Sequence, residues 1–160
     1  MQDKMKQFDK TDYRIIKELH KNARASAAEI AHNIDLNERT VRRRINNLLE
    51  SGAIRTTTIV DPAMFGYYSI VDINLNVDHE VYDAFIKSLE DNPNICYIAT
   101  GWGKANLSIE GRFQNNEEMY EYINFTLPDT KGVEVVNFFI IPKIIFNIDR
   151  WMPVESDFKD

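Results

Sequence analysis

Residues 37–50 read NERTVRRRINNLLE, and this stretch decides the fold of the N-terminal third of the chain. Val41, Ile45 and Leu48 recur at the spacing of one helix face, and a rotation of about 100° per residue carries the arginines and asparagines away from it. Asn37 is suited to cap the helix at its start. We therefore predict a helix with one face in a core and an outward face that is basic and rich in amides.

The predicted outward face carries the groups that read DNA in the major groove. Arginine can present a bidentate fork to guanine and asparagine to adenine, while flanking Arg and Thr can bind phosphate. Only Glu38 lies nearby to balance four arginines within six residues. Arg44 borders the predicted core and can instead pair with a carboxylate such as Asp12 or Glu50. The predicted DNA-binding residues are Asn37, Arg39, Thr40, Arg42, Arg43, Arg44, Asn46 and Asn47.

Two shorter helices are predicted before this one. Asp9 can cap a helix of residues 10–21, and Ser26 with Glu29 has the form of a capping box at the start of a second helix. After the third helix, residues 54–60 are rich in Ile, Thr and Val and predict a strand beside it. The N-terminal region is therefore predicted to be a winged helix-turn-helix.

The rest of the chain predicts an α+β domain with the element order βαββαβ. The expected strands are at about 68–77, 94–100, 105–112 and 133–141, with one more after Pro142, and the helices are at about 79–91 and 116–126. This is the ferredoxin-like arrangement, with two helices on one face of an antiparallel sheet. We predict a DNA-binding domain at 1–61, a linker at 62–66 and the ferredoxin-like domain at 67–160.

The charge of the chain changes sign close to the same boundary. Residues 1–60 carry 12 Lys and Arg against 8 Asp and Glu, whereas residues 61–160 carry 7 against 17. A polyanion such as double-stranded DNA is therefore expected to bind the first third and to be repelled by the remainder.

Cysteine and histidine content argues against several other classes of protein. The single cysteine, Cys96, excludes an intramolecular disulfide framework and is expected to be a small core residue. The three histidines have no neighbours at metal-ligand spacing, so neither a metal nor another cofactor is expected. With no secretory segment and no apolar run long enough to span a bilayer, we expect a cytoplasmic protein without a membrane partner.

The predicted sheet has one face that its own helices do not cover. Ile70, Ile73 and Leu75 are expected on that face, and a second copy of the chain would shield them from water. We therefore predict a homodimer or a higher homo-oligomer. Five aromatic residues are expected to serve sheet packing and dimer contact rather than a cofactor site; they are Tyr67, Tyr68, Phe138, Phe139 and Phe146.

The combined pattern resembles the Lrp/AsnC, or feast/famine, family of transcriptional regulators. The matching strings are Phe8-Asp9-x-x-Asp12-x-x-Ile15-Ile16, Ala28-Glu29-Ile30-Ala31 and Thr40-Val41-x-x-Arg44-Ile45-x-x-Leu48-x-x-x-Gly52-x-Ile54. In the C-terminal half, Gly66, Thr100-Gly101 and Gly132-Val133 stand where that family has landmarks of its ligand-binding domain. The resemblance implies a sequence-specific DNA-binding regulator that dimerises through the C-terminal sheets and responds to an amino acid or similar small metabolite.

The chain departs from the pattern of that family in two turns. Asp35 stands where the family usually has glycine, and Asp tolerates a left-handed turn. Lys104 stands where an acid is common at the effector pocket, so an anionic effector is favoured over one anchored by its ammonium group. Trp102 can either stack on an effector or fill a subunit interface. The expected effector-binding residues are Thr100, Gly101, Trp102, Gly103, Lys104 and Asn106.

Two other functional classes compete with a regulator. Some proteins that resemble this family decarboxylate sirohaem-type tetrapyrroles on the same two-domain fold. Residues 100–107 contain no histidine, and the chain has no clustered acid–base pair, Gly-rich phosphate loop or nucleophile elbow, so we predict that it is not an enzyme. A protein that only oligomerises would be recognised by the absence of salt-dependent DNA binding.

Overall fold

A computed structural model describes residues 8–160, and the chain forms two compact units. Unit 1 comprises the chain up to Ile59 together with Phe146–Asp160, and unit 2 comprises Val60–Ile145. The first seven residues of the predicted 1–61 domain lie outside the described part. Between residues 8 and 160, no helix is both long enough and apolar enough to cross a membrane.

Unit 1 contains three helices at the predicted positions: α1 (Lys10–Lys21), α2 (Ala27–Asn33) and α3 (Glu38–Glu50). Each begins at the predicted cap. The Asp9 carboxylate accepts from the Thr11 and Asp12 amides, and the Asn37 side chain accepts from the Arg39 amide. Ser26 and Glu29 cap each other's backbone as a capping box. These local hydrogen bonds satisfy amides that a helix leaves unpaired at its start, which explains why the boundaries were predictable.

A tight turn between α2 and α3 brings the apolar faces of the helices together. Asp35 adopts the left-handed conformation at φ 53°, as expected from the departure at this position. The amide of Leu36 donates to the carbonyl of Ala31 and closes the turn. The buried core of unit 1 consists of Ile15, Ile30, Ala31, Ile34, Val41 and Leu48.

The predicted strand at 54–60 is not formed, so this prediction was wrong. The Ile54 amide donates to the Leu48 carbonyl, and the Ile54 side chain packs on the core of unit 1. From Arg55 onward the segment is exposed, and no described strand pairs with it. Because β-propensity measures the fit of a side chain to a pleated surface, an Ile- and Thr-rich segment without a partner strand stays irregular.

Unit 2 has the predicted βαββαβ order. Its elements are β1 (Ser69–Val77), α4 (Tyr82–Glu90), β2 (Ile95–Thr100), β3 (Leu107–Phe113), α5 (Asn116–Glu121) and β4 (Val133–Ile140). The antiparallel sheet has the strand order β2-β3-β1-β4, which confirms the ferredoxin-like fold. After α5 the chain continues as a π-helix over Tyr122–Thr126. The additional strand predicted after Pro142 is absent from the described residues, which instead form a short 3-10 helix at Ile148–Arg150.

The core of unit 2 lies between the sheet and its two helices. Along β1, Val71, Ile73 and Leu75 are fully buried and share this core with Phe85 of α4 and Met119 of α5. The prediction that Ile73 and Leu75 lie on the uncovered face was therefore wrong. The alternation of a strand puts the intervening residues on the opposite face, and only Ile70 of the three predicted residues is there.

The uncovered face of the sheet has a polar centre. Ser108 donates to Asp72 over 3.0 Å, Asn74 donates to Asn137 over 2.9 Å, and Arg112 pairs with Glu110 over 2.8 Å. The first two pairs join neighbouring strands, and the third lies within β3. The apolar residues of this face therefore lie towards its edges, with Tyr97 on β2 and Phe139 on β4.

Cys96 is exposed, contrary to the expectation that it is a core residue. It lies on the edge strand β2, where the register with β3 shifts between Ile95 and Tyr97. Its thiol lies 3.4 Å from the carbonyl of Glu110. The apolar residues that surround Cys96 in the sequence therefore do not bury it.

The C-terminal segment Phe146–Asp160 packs with unit 1 rather than with unit 2. Lys159 forms a parallel β-bridge with Asp9, and the ring centroids of Phe158 and Tyr13 lie 5.3 Å apart. This grouping differs from the predicted division, in which one domain spans 67–160. The bridge joins residues 150 positions apart in sequence, and no local pattern indicates such a contact.

Candidate DNA-binding surface and effector turn

The structure brings the predicted DNA-binding residues together on and beside α3. Val41 and Leu48 are buried, so the helix presents its remaining faces to water. Five predicted residues of α3 are exposed, namely Arg39, Arg42, Arg43, Asn46 and Asn47, while Thr40 is half-buried. The basic and amide-bearing face of α3 is therefore exposed to solvent.

The arginines of α3 differ in their ion pairs. Arg42 is 2.5 Å from Glu38, one turn earlier on the helix. Between residues 8 and 160, no carboxylate lies within ion-pair distance of Arg39 or Arg43. Asn37 already uses its side-chain oxygen to cap the helix. Among the described residues, nothing neutralises the charge of Arg39 or Arg43 locally.

Arg44 faces the interior of unit 1 and not the exposed face of α3. Its guanidinium lies 2.8 Å from Asp9 and 2.9 Å from Asp12, at the first turn of α1. The geometry therefore favours the alternative in which Arg44 pairs with carboxylates over the one in which it contacts DNA. Of the two partners predicted for Arg44, Asp12 forms the ion pair, whereas Glu50 is not within ion-pair distance in the described residues; the contact with Asp9 was not predicted.

The Asp9 carboxylate is held in its charged form by this arrangement. Burial alone would raise its pKa, but the Asp12 amide and the Arg44 guanidinium outweigh that effect and hold the pKa below its ordinary value of 3.8. A group with a lowered pKa stabilises the fold above its unfolded pKa, and this contribution is lost as the pH falls through the folded value. The contribution of Asp9 to the contact between α1 and α3 is therefore fully present above its ordinary pKa and is lost in acid.

Two polar contacts that sequence analysis missed hold α1 against the end of α2. Arg14 donates to the carbonyl of Ile34 over 2.6 Å, and Asn33 donates to Glu18 over 2.8 Å. Arg14 thereby satisfies a carbonyl that α2 leaves free at its C-terminal end. Both contacts fix the turn that leads into α3, and neither produces a periodic signal in the sequence.

In unit 2, the predicted effector residues lie together in the turn between β2 and β3. The Gly101 amide donates to the Asn106 carbonyl over 3.0 Å and closes the turn. Thr100, Gly101, Trp102, Gly103 and Lys104 are exposed, and the Trp102 side chain lies fully in solvent. A Cβ added to Gly101 or Gly103 would meet no atom within 4 Å, so a ligand has room to approach the backbone.

Asn106 has a structural role that differs from the predicted one. Its side-chain oxygen accepts from the Val77 amide over 2.9 Å, and its side-chain nitrogen donates to the Val77 carbonyl over 2.7 Å. The side-chain amide is therefore occupied in joining the turn before β3 to the end of β1. This leaves Lys104 as the charged side chain of the turn.

Known proteins are similar to this chain in sequence and in fold. The sequence profile of the winged helix-turn-helix DNA-binding family matches residues 8–55. The transcriptional regulator FL11 of Pyrococcus abyssi is 32% identical over 137 residues, which are 85% of this chain and 90% of that protein. B. subtilis LrpC is 26% identical and superimposes with a TM-score of 0.74 over 84% of this chain and 94% of its own. A Neisseria meningitidis regulator in complex with L-methionine is 20% identical, and its TM-score is 0.78 over 87% of this chain and 92% of its own.

The matched profile and the exposed basic face of α3 define a winged helix-turn-helix DNA-binding protein. The relatives are transcriptional regulators, and the fold of both units is that of AsnC and LrpC. The chain belongs to the Lrp/AsnC family of transcriptional regulators, which confirms the resemblance found in the sequence. It is a DNA-binding regulator of transcription.

Proposed function

We propose that this regulator reads base edges with the outward face of α3. Arg39 and Arg43 lie one helical turn apart on α3, so both can enter the same stretch of a major groove. Asn46 and Asn47 continue this surface towards the end of the helix. The observation that carries the proposal is the exposure of Arg39 and Arg43 without a neighbouring carboxylate in the described residues. Thr40, Arg42 and the Asn37 amide nitrogen are assigned to phosphates at its border.

Salt dependence tests whether this basic face binds DNA as proposed. Each phosphate neutralised by Lys or Arg releases counterions, with a slope of about −0.9 per contact in a plot of log K against log salt. Fluorescence anisotropy with labelled genomic fragments should give a slope steeper than about −3 for the wild-type protein. An affinity that does not change between 50 and 300 mM salt, roughly, would contradict the proposal.

We infer further that unit 2 carries the dimer interface on the uncovered face of its sheet. The centre of this face is polar, and its side chains hydrogen-bond one another in pairs, which lowers the cost of covering them. At its β4 edge Phe139 is 67% exposed, and Tyr97 lies on the opposite edge strand. Exposed aromatic groups around a hydrogen-bonded polar centre suit a self-complementary interface between two copies.

Phe139→Glu is expected to convert the dimer into a monomer. The substitution places a charge where an aromatic side chain would be buried, which costs several kcal/mol at an interface. Sedimentation velocity of the full chain at micromolar concentration should give a dimer or larger species for the wild-type protein and a monomer for the variant. Tyr120→Glu is the control, because Tyr120 is 60% exposed but lies on α5, on the covered side of the sheet. A monomeric wild-type protein would refute the proposal.

The turn from Thr100 to Lys104 is proposed as the effector site. The exposed Trp102 ring offers an apolar wall, the two glycines admit a ligand to the backbone, and Lys104 can pair with an anionic group. A related regulator of known structure is in complex with L-methionine, which supports a small metabolite as the class of ligand. An effector in unit 2 can alter DNA binding only by favouring one arrangement of the subunits over another.

Lys104→Ala is expected to weaken binding of anionic effectors about tenfold or more, because a hydrogen bond to a charged group contributes about 1.5–3 kcal/mol. A thermal-shift screen of amino acids, keto acids and nucleotides would identify a ligand on the wild-type protein, and titration would compare the variants. Lys131→Ala is the control, since Lys131 is another exposed lysine of unit 2. Equal stabilisation of the wild-type protein and Lys104→Ala by every ligand would place the site elsewhere.

A further inference from the structure

The last three residues of the chain are docked on the DNA-binding unit. The Lys159 amide donates to the Phe8 carbonyl over 2.9 Å, and the Lys10 amide donates to the Lys159 carbonyl over 3.0 Å. These two bonds form the parallel bridge at Asp9. Backbone pairing of this kind fixes the position of the chain on both sides of Asp9.

Side chains reinforce the docking on each side of the bridge. Phe158 is half-buried, and its ring packs on that of Tyr13 with centroids 5.3 Å apart and planes inclined by 55°. The Asp160 carboxylate pairs with the Lys10 ammonium group at the exposed end. The short 3-10 helix at Glu155–Asp157 turns the chain just before this contact, and the Phe158 amide donates back to the Glu155 carbonyl.

The docked residues act on a position that is directly connected to α3. Asp9 caps α1 and accepts from the Arg44 guanidinium over 2.9 Å. Arg44 belongs to α3, and Arg43, its neighbour, belongs to the proposed DNA-contacting face. A shift of the backbone at Asp9 would therefore move a carboxylate to which α3 is bonded through Arg44.

We infer that Phe158 and Lys159 are positioning residues for DNA binding: the C-terminal segment holds Asp9 so that Arg44 orients α3 towards the groove. They do not themselves contact DNA. This inference rests on the proposal that α3 reads DNA. It assigns a function to a segment that follows the ferredoxin-like fold and is not needed to complete its sheet.

Hydrogen exchange measured without DNA tests the docking independently of DNA binding. In Phe158→Ala, the amides of Lys10 and Lys159 should exchange about threefold to tenfold faster. Loss of one aromatic pair of this geometry is expected to raise the population of the undocked segment by about that factor. Phe158→Tyr keeps the ring and should retain slow exchange. Trp151→Ala is the matched control, since it removes an exposed aromatic residue from the same segment.

The same variants are then titrated with a fragment that the wild-type protein selects. Phe158→Ala should lose about threefold to tenfold in affinity with an unchanged salt slope, whereas Phe158→Tyr and Trp151→Ala should bind as the wild-type protein does. Removal of residues 158–160 should reproduce the loss of DNA affinity. This truncated chain tests the inference even if Phe158→Ala alone has too small an effect to measure. A truncated chain with fast Lys10 exchange and full affinity would overturn the inference, as would slow exchange in the truncated chain. Failure of the wild-type protein to select any fragment would instead refute the proposal on α3.

Discussion

The double substitution Arg39→Ala and Arg43→Ala is expected to weaken binding to a selected DNA fragment by at least about 100-fold. A good bidentate contact discriminates against a wrong base by about 1–3 kcal/mol, and about 1.4 kcal/mol corresponds to a factor of ten. Both side chains are exposed, so their loss should change the free energy of unfolding by no more than about 0.5 kcal/mol each. Anisotropy titration with the selected fragment and with a scrambled fragment measures the effect.

The ratio of the two affinities distinguishes base reading from simple charge attraction. Because the proposed contacts are to base edges, the variant should bind both fragments about equally. Lys17→Ala with Lys21→Ala removes the same charge from exposed positions on α1 and should preserve the preference. If the double variant of α3 still preferred the selected fragment as strongly as the wild-type protein, another surface would be reading the sequence.

The largest effect on stability is expected for Arg44→Gln, at about 3 kcal/mol near neutral pH. The wild-type guanidinium lies between two carboxylates, and Asp12 is 7% exposed. Removing the cation leaves Asp9 and Asp12 as neighbouring charges without compensation, which costs far more than the loss of a surface pair. Arg42→Gln on the same helix is the matched control, because its pair with Glu38 is solvent-exposed and should contribute at most about 1 kcal/mol.

The pH dependence of this effect checks its cause. Since the folded-state pKa of Asp9 is lowered, the wild-type protein should lose stability as the pH falls below about 5, whereas protonation relieves the repulsion in Arg44→Gln. The difference in the free energy of unfolding between the wild-type protein and Arg44→Gln should therefore become smaller towards about pH 3. Urea unfolding in a Trp102→Phe background leaves Trp151 as the fluorescent reporter of unit 1. If the difference in the free energy of unfolding stayed constant from about pH 7 to about pH 3, the variant would be destabilised by lost packing and not by lost charge.

Features fixed by short-range interactions were predictable from the sequence. The starts of the three helices in unit 1 follow from side chains that bind backbone amides two or three residues away, as Asp9, Ser26 and Asn37 do. The left-handed turn at Asp35 is another local feature. The exposed face of α3 followed from the same periodicity that placed Val41 and Leu48 in the core.

Features that depend on a distant partner were not predictable. Residues 54–60 have strand-forming side chains, but nothing in the described chain pairs with them. The assignment of Ile73 and Leu75 to the uncovered face failed because alternation gives two faces but does not say which one the helices cover. The second partner of Arg44 and the docking of Phe158 join residues 35 and 145 positions apart, and no periodicity or capping pattern indicated these two contacts.

Selection of bound fragments from a genomic library most directly tests whether this regulator reads DNA sequence through α3. The wild-type protein should enrich fragments that share a motif, with two half-sites separated by about one helical turn, roughly 34–36 Å, or a multiple of it. The variant lacking Arg39 and Arg43 should recover fragments without that motif. Recovery of the same fragments by both proteins, or no enrichment by the wild-type protein at low salt, would contradict the claim that α3 reads the DNA sequence.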